Sequence, residues 1–187
     1  MSFYGLSIFD LSGTIISIFS VYCMLKKSIW YWYSGIICNT LWLVMFLSKS
    51  LYISSALQIS YMLFSLYGIL RWKQMKSKKQ ISVYLDIAGL ALSLAIFSIA
   101  IWNTSFNSVY NIIETMAVLL LIVANLLTAK EMTSCWYFWI IGDILFAIFL
   151  WHAKVFGMFT LQFVFLGFSI WGLYEWKNQS NNSVINE

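Results

Sequence analysis

Seven apolar runs of membrane-spanning length follow one another along the chain, at about 9–25, 31–47, 51–71, 82–102, 110–129, 135–151 and 155–176, with short polar segments between them. Each is predicted to be a helix. The pattern also copies itself without a gap at an offset of 104 residues. Leu57, Gln58, Phe64, Ser65, Gly68, Trp72 and Lys73 recur as Leu161, Gln162, Phe168, Ser169, Gly172, Trp176 and Lys177. Upstream, Trp32, Tyr33, Ile36, Ile37 and Leu41 return as Trp136, Tyr137, Ile140, Ile141 and Leu145, and Ile18 and Lys26 as Ile122 and Lys130. The repeat takes in the first three runs and the last three and leaves the fourth as a connector. The expected fold is therefore an all-α integral membrane protein of seven transmembrane helices: two parallel three-helix repeats joined by a connector helix, three-one-three. The divisions read as 1–75 for the first bundle, 76–106 for a basic loop and the connector, 107–177 for the second bundle and 178–187 for a polar tail expected to be unstructured.

Composition agrees with that pattern. Of 187 residues 61% are hydrophobic, 19% aromatic and only 10% charged, with a mean hydropathy of +0.82. A soluble domain of this length cannot bury so much apolar surface, so the partner of the chain is the lipid bilayer. The formal net charge of +4 does not imply nucleic acid, because the basic residues sit in loops between apolar runs. Lys26, Lys27, Arg71, Lys73, Lys76, Lys78, Lys79, Lys130 and Lys177 fall on one side of the expected bilayer, and only Lys49 and Lys154 on the other. By the positive-inside rule the carboxy terminus is cytoplasmic and the amino terminus outside, as in a multi-pass protein of a bacterial inner membrane. Cys23, Cys38 and Cys135 have no CxxC or metal-ligand spacing, so neither a disulfide framework nor a metal is expected. The amino terminus carries no cleavable signal pattern.

The chain contains no proline, so proline kinks are not its hinges, and motion is expected as rigid rocking of one bundle against the other. Gly68 and Gly172, repeat mates, mark places where helices approach closely.

Polar groups at membrane depth carry the chemistry, since an ionised carboxylate at a helix centre costs about 2.5–3.5 kcal/mol on insertion scales. Asp143 lies about eight residues into the sixth run, on the order of 12 Å from its end at 1.5 Å per residue. Its mate Asn39 has the same depth in the second run. Gln58 and Gln162 lie near the middle of the third and seventh. These side chains converge at about one depth, as expected of a substrate site, with interhelix hydrogen bonding as the alternative. Trp139 shares a helix face with Asp143 at i, i+4, and its mate is Gly35. A ring beside a buried carboxylate suits a flat aromatic cation, although packing also explains it. Trp72, Trp176, Trp32 and Trp136 read as an interfacial aromatic belt.

Asp10 and Glu114 open the first and fifth runs and read as caps of their own helices. Asp86 is expected to pair with the Lys76–Lys79 cluster, and His152, the only histidine, to lie in the outer loop between the last two runs. An enzyme is not expected. Ile140-Ile141-Gly142-Asp143 lacks the first glycine of a GxGD aspartyl protease, and no HExxH, GxSxG or Walker loop is present. No cofactor is expected. A non-transporting membrane subunit is the different-class alternative, and the apolar faces are compatible with a homo-oligomer.

Gly13-Thr14 to Trp72, ending in Ser55-Ala-Leu-Gln58 and Ser65-Leu-Tyr-Gly68-Ile-Leu-Arg-Trp72, resembles the PnuC vitamin-precursor transporters. So does Trp136-Tyr-Phe-Trp139-Ile-Ile-Gly-Asp143, which matches the WxxW motif of that family and the polar position four residues beyond it. The resemblance covers roughly residues 9–177. It implies a fold related to the SWEET sugar transporters and import of nicotinamide riboside, thiamine or riboflavin by facilitated diffusion, made directional by phosphorylation inside the cell. It also implies that Trp136, Trp139, Asp143, Asn39 and Gln162 line the ligand site, to which position and depth add Gln58. The partner is then a small aromatic vitamin precursor. An aspartate at 143 favours an aromatic cation, nicotinamide riboside first and thiamine second, over neutral riboflavin.

Overall fold

The computed structural model describes residues 8–76 and 83–185. These form seven helices in chain order: α1 (Ile8–Leu25), α2 (Trp30–Ser48), α3 (Tyr52–Lys76), α4 (Val83–Trp102), α5 (Val109–Ala129), α6 (Cys135–His152) and α7 (Phe156–Ile185). No strand occurs among the described residues. By length and composition α3, α5, α6 and α7 are apolar enough to cross a membrane. The expected unstructured tail is instead helical as far as Ile185, continuing α7, because neither glycine nor proline follows Gly172 to stop it.

Six helices close into a ring. Going round it, α1 packs on α2, α2 on α3, α3 on α5, α5 on α6, α6 on α7 and α7 back on α1. Helix α4 lies outside, mainly against α3, and its outer face exposes Tyr84, Ile87, Leu92, Ile99 and Trp102.

The corners are built alike. After α1, Lys27 N–H bonds Met24 O at 3.0 Å and Ser28 N–H bonds Cys23 O at 2.9 Å. After α5, Glu131 N–H bonds Thr128 O at 2.9 Å and Met132 N–H bonds Leu127 O at 3.1 Å. Both pairs satisfy carbonyls left over at a helix end, with a left-handed residue at the turn. The ends of α2 and α6 repeat the device through Ser50 and Lys154. Among the described residues, the non-glycine positions with positive φ are Lys27 (48°), Ser50 (56°), Glu131 (54°) and Lys154 (56°), two pairs related by 104.

Tryptophans tie the ring together at its basic end. Trp32 and Trp72 meet edge-on with centroids 5.3 Å apart, and so do Trp136 and Trp176. Trp72 Nε1 donates to Ala129 O at 3.2 Å and Trp176 Nε1 to Leu25 O at 3.1 Å, each the last carbonyl of a helix. All four rings are buried. They are therefore not an interfacial belt: an indole N–H that finds a helix-terminal carbonyl inside the protein has no need of the headgroup region. The glycine expectation gains a cause. A Cβ on Gly172 would stand 2.3 Å from the Trp136 ring, so the close approach is ring on backbone.

Three acidic and basic positions differ from expectation. Glu114 does not cap its own helix, which Ser108 caps by accepting from Tyr110 N–H at 3.2 Å. It is buried more than a turn into α5 and accepts from Ser54 N–H at 3.0 Å and from Ser54 Oγ–H, serving the amino-terminal turn of α3. Asp86 is paired with Lys130 at 2.7 Å and Arg71 at 3.0 Å and accepts from the Tyr67 hydroxyl, since α4 leans on α3. Residues 77–79 of the Lys76–Lys79 cluster, and the side chains of Lys76 and Asp10, lie outside what the structure describes. His152 is the last residue of α6 rather than a loop residue, stacked on Tyr110 with centroids 3.6 Å apart.

Candidate central site

Each helix of the ring turns one face inward, and the inward faces enclose a cavity at mid-depth. Helix α6 contributes Trp136, Trp139 and Asp143 at i, i+3 and i+7, one stripe of a 3.6-residue period. Helix α3 contributes Gln58, Tyr61 and Ser65 at the same spacing. Asn39 and Trp42 of α2, three residues apart, form part of the opposite wall with Tyr31 and Gly35. Ser17 and Ser20 come from α1, Asn125 from α5, and Phe165 and Ser169 from α7, while α4 contributes nothing.

Five of the six residues singled out in the sequence, Asn39, Gln58, Trp136, Trp139 and Asp143, are brought together around this cavity. Gln162 is buried but is not part of the wall. The wall also includes Asn125, Tyr61 and Trp42. Asn125 was legible as a polar residue inside the apolar run of α5. Tyr61 and Trp42 have a weaker signal, each standing three residues beyond a candidate polar residue.

The aromatic rings are held in place. Trp139 Nε1 donates to Thr128 Oγ1 at 3.0 Å, and that hydroxyl donates to Ala124 O at 2.9 Å. The Trp139 ring faces Tyr61 at 5.8 Å between centroids, tilted by 55°. Trp42 Nε1 donates to Ser17 Oγ at 3.0 Å. Gly35 sits close to α3: a Cβ there would approach Ser65 Oγ to 3.2 Å. The repeat mates Gly35 and Trp139 both line the cavity, one as a bare backbone packed close to Ser65 and the other as a fixed ring.

The polar groups are unmatched. Asp143 is 2% exposed and Asn125 likewise 2%. Among the described residues, Asp143 Oδ2, Asn125 Oδ1, Gln58 Nε2 and Trp136 Nε1 have no hydrogen-bond partner. Buried polar atoms are costly to leave unsatisfied, and a cavity walled by these residues has the chemistry to suit a ligand with a polar edge and flat faces. Among the described residues no lysine or arginine lines it. No cluster able to hold a metal ion occurs among the described residues.

Comparison with known proteins agrees with this architecture. The family model described as nicotinamide mononucleotide transporter matches residues 7–178. The fold is similar to a crystal structure of the vitamin B3 transporter PnuC, with a TM-score of 0.69 and 17% sequence identity over 91% of this chain and 80% of that one. No curated protein matches the sequence.

Proposed function

The chain belongs to the nicotinamide mononucleotide transporter family, and on that premise we propose that it imports nicotinamide riboside across a bacterial inner membrane by facilitated diffusion. As a member of that family it is a multi-pass membrane transporter and not an enzyme. The observation that carries the substrate reading is the pairing of Trp139 and Asp143 in the wall of a cavity without a basic residue. The positive pyridinium ring stacks on the indole and is balanced by the carboxylate. A 5′-phosphate would instead stand with Asp143 in a low dielectric with no lysine or arginine to receive it. The nucleoside fits where the nucleotide does not.

The same reading gives seven spans arranged three-one-three, with residues 1–75 and 107–177 as parallel bundles, 76–106 as the connecting segment and 178–187 as a cytoplasmic tail. The matched corners at Lys27 and Glu131, and at Ser50 and Lys154, support the repeat. The basic loops support a cytoplasmic carboxy terminus. The single carboxylate among the wall residues supports a uniporter rather than an ion-coupled pump, with phosphorylation in the cytoplasm trapping the product. Asn39, Gln58, Trp136, Trp139 and Asp143 hold the ligand, and Gln162 supports it from outside the wall.

Thiamine, another aromatic cation, meets the same carboxylate and is the second reading. Riboflavin is neutral and makes no use of it. The test is uptake of labelled nicotinamide riboside into proteoliposomes without an ion gradient, with unlabelled thiamine and riboflavin as competitors. Saturable uptake that neither competitor suppresses supports the proposal. Suppression by thiamine transfers the assignment to thiamine, and absence of uptake with and without a gradient overturns it.

A further inference from the structure

Lys27 and Glu131 are related by the offset of 104, and they touch. Lys27 Nζ lies 3.8 Å from a Glu131 carboxylate oxygen, the two side chains 31% and 26% exposed. A residue in contact with its own repeat mate stands on the axis that relates the two halves. The same axis runs through the central cavity, because Asn39 and Asp143, Ser65 and Ser169, and Gly35 and Trp139 are mates that line it from different sides. The ion pair therefore stands over the cavity at the basic end. Between the two lie Met24 and the first turns of α2 and α6, with Tyr31, Trp136 and Trp139. At the other end the rings of Phe46 in α2 and Phe146 in α6 meet with centroids 6.2 Å apart.

We propose that the Lys27–Glu131 ion pair is a latch that parts when a ligand passes between the cavity and the basic end of the molecule, an inference that rests on the transporter reading. The surroundings fit a contact that opens and recloses. Each corner is separately anchored. Lys26 pairs with Glu175 of α7 at 3.6 Å, and Lys130 pairs with Asp86 of α4 at 2.7 Å. The Trp176–Leu25 and Trp72–Ala129 hydrogen bonds hold the two flanks of the ring. Among the described residues Lys27–Glu131 is the one ion pair joining the two corners across the centre. A part-exposed pair at this distance is weak, which makes it a poor brace and a good latch. Lys27 has an alternative seat, since its ammonium already lies 4.7 Å from the centroid of the Trp176 ring, so the charge stays partnered when Glu131 moves away. Glu131, part-exposed, is left to water, and an opening that costs little and keeps Lys27 partnered can recur in every transport cycle.

Cys38 lines the cavity and reports its exposure without any substrate. The experiment is its rate of labelling by a membrane-impermeant thiol reagent applied at the Lys27 face of protein in vesicles, in a C23A/C135A background. K27E and E131K each place like charges at the latch and are expected to speed labelling about three- to tenfold, and K27E/E131K, which restores the ion pair in reverse without the Trp176 contact, to bring it most of the way back to the parental rate. Equal rates in all four proteins overturn the latch. So does a double variant that labels as fast as the singles, because the effect then belongs to the separate positions. If the charge reversals do not fold, K27Q and E131Q read the same contact and must each speed labelling. A protein that carries no nicotinamide riboside but shows this pattern retains the latch and loses only the substrate assignment.

Discussion

The ring of Trp32 lies against Gly68 so closely that a Cβ on that glycine would stand 2.2 Å from it. The contact fixes more than one side chain. Trp32 in turn meets Trp72 edge-on, and Trp72 holds the last carbonyl of α5. A glycine in α3 thus sets the height at which α2, α3 and α5 meet at the basic end.

Gly68→Ala is expected to destabilise the protein by about 1–3 kcal/mol, because the ring must leave its seat to admit the methyl group. Gly172→Ala is expected to do the same through Trp136, whose ring stands 2.3 Å from the equivalent Cβ position. Thermal unfolding in detergent measures both. An unchanged midpoint for Gly68→Ala would show that Trp32 does not occupy this seat.

Trp139→Ala and Asp143→Ala are expected to weaken nicotinamide riboside binding by at least about a hundredfold, while the purified proteins remain monodisperse. Asp143→Asn separates charge from shape. It keeps the volume and one acceptor and is expected to lose most of the affinity for the cation. Calorimetric titration of the three variants distinguishes these contributions, and full affinity in Trp139→Ala and Asp143→Ala would exclude the central site.

The nucleotide itself is expected not to compete. Like charges 4 Å apart repel by about 4 kcal/mol at an effective dielectric constant near 20, or close to a thousandfold in affinity. Competition of labelled nicotinamide riboside uptake by nicotinamide mononucleotide measures this directly. Strong competition would mean that the phosphate finds a cation that does not belong to the cavity wall.

Much of this was legible in the chain. Length and apolarity located all seven helices, and the polar residues at mid-depth marked three members of the cavity wall, Asn39, Gln58 and Asp143, because in lipid a polar group must have a use. Trp139 was marked by the helix face it shares with Asp143, and Trp136 by the family resemblance alone. Other features were not legible. Trp72 beside Lys73 has the local sequence of an interfacial anchor, and only the three-dimensional course of α5 puts Ala129 O within reach of its indole. Glu114 likewise looked like a cap of its own helix, and its partner Ser54 stands 60 residues away in sequence. Gln162 repeats Gln58 in the chain but not in the wall, so repeat symmetry in the sequence does not carry over to every side chain.

Asn125 offers the sharpest separation of structural from functional roles. Its repeat mate is Val21, which lines the cavity as well, so the fold accommodates valine at the equivalent place. Asn125 Oδ1 is buried without a hydrogen-bond partner among the described residues, a state that costs stability until a ligand supplies a donor. Asn125→Val removes that cost and the ligand contact together. The expected result is a melting temperature equal to or above that of the parent, with nicotinamide riboside affinity lower by about tenfold. A purely structural asparagine would give the reverse, a lower melting temperature with affinity intact. Melting curves with and without ligand decide between them: the stabilisation by ligand, which scales with occupancy, must shrink in Asn125→Val even though the unliganded protein does not melt earlier.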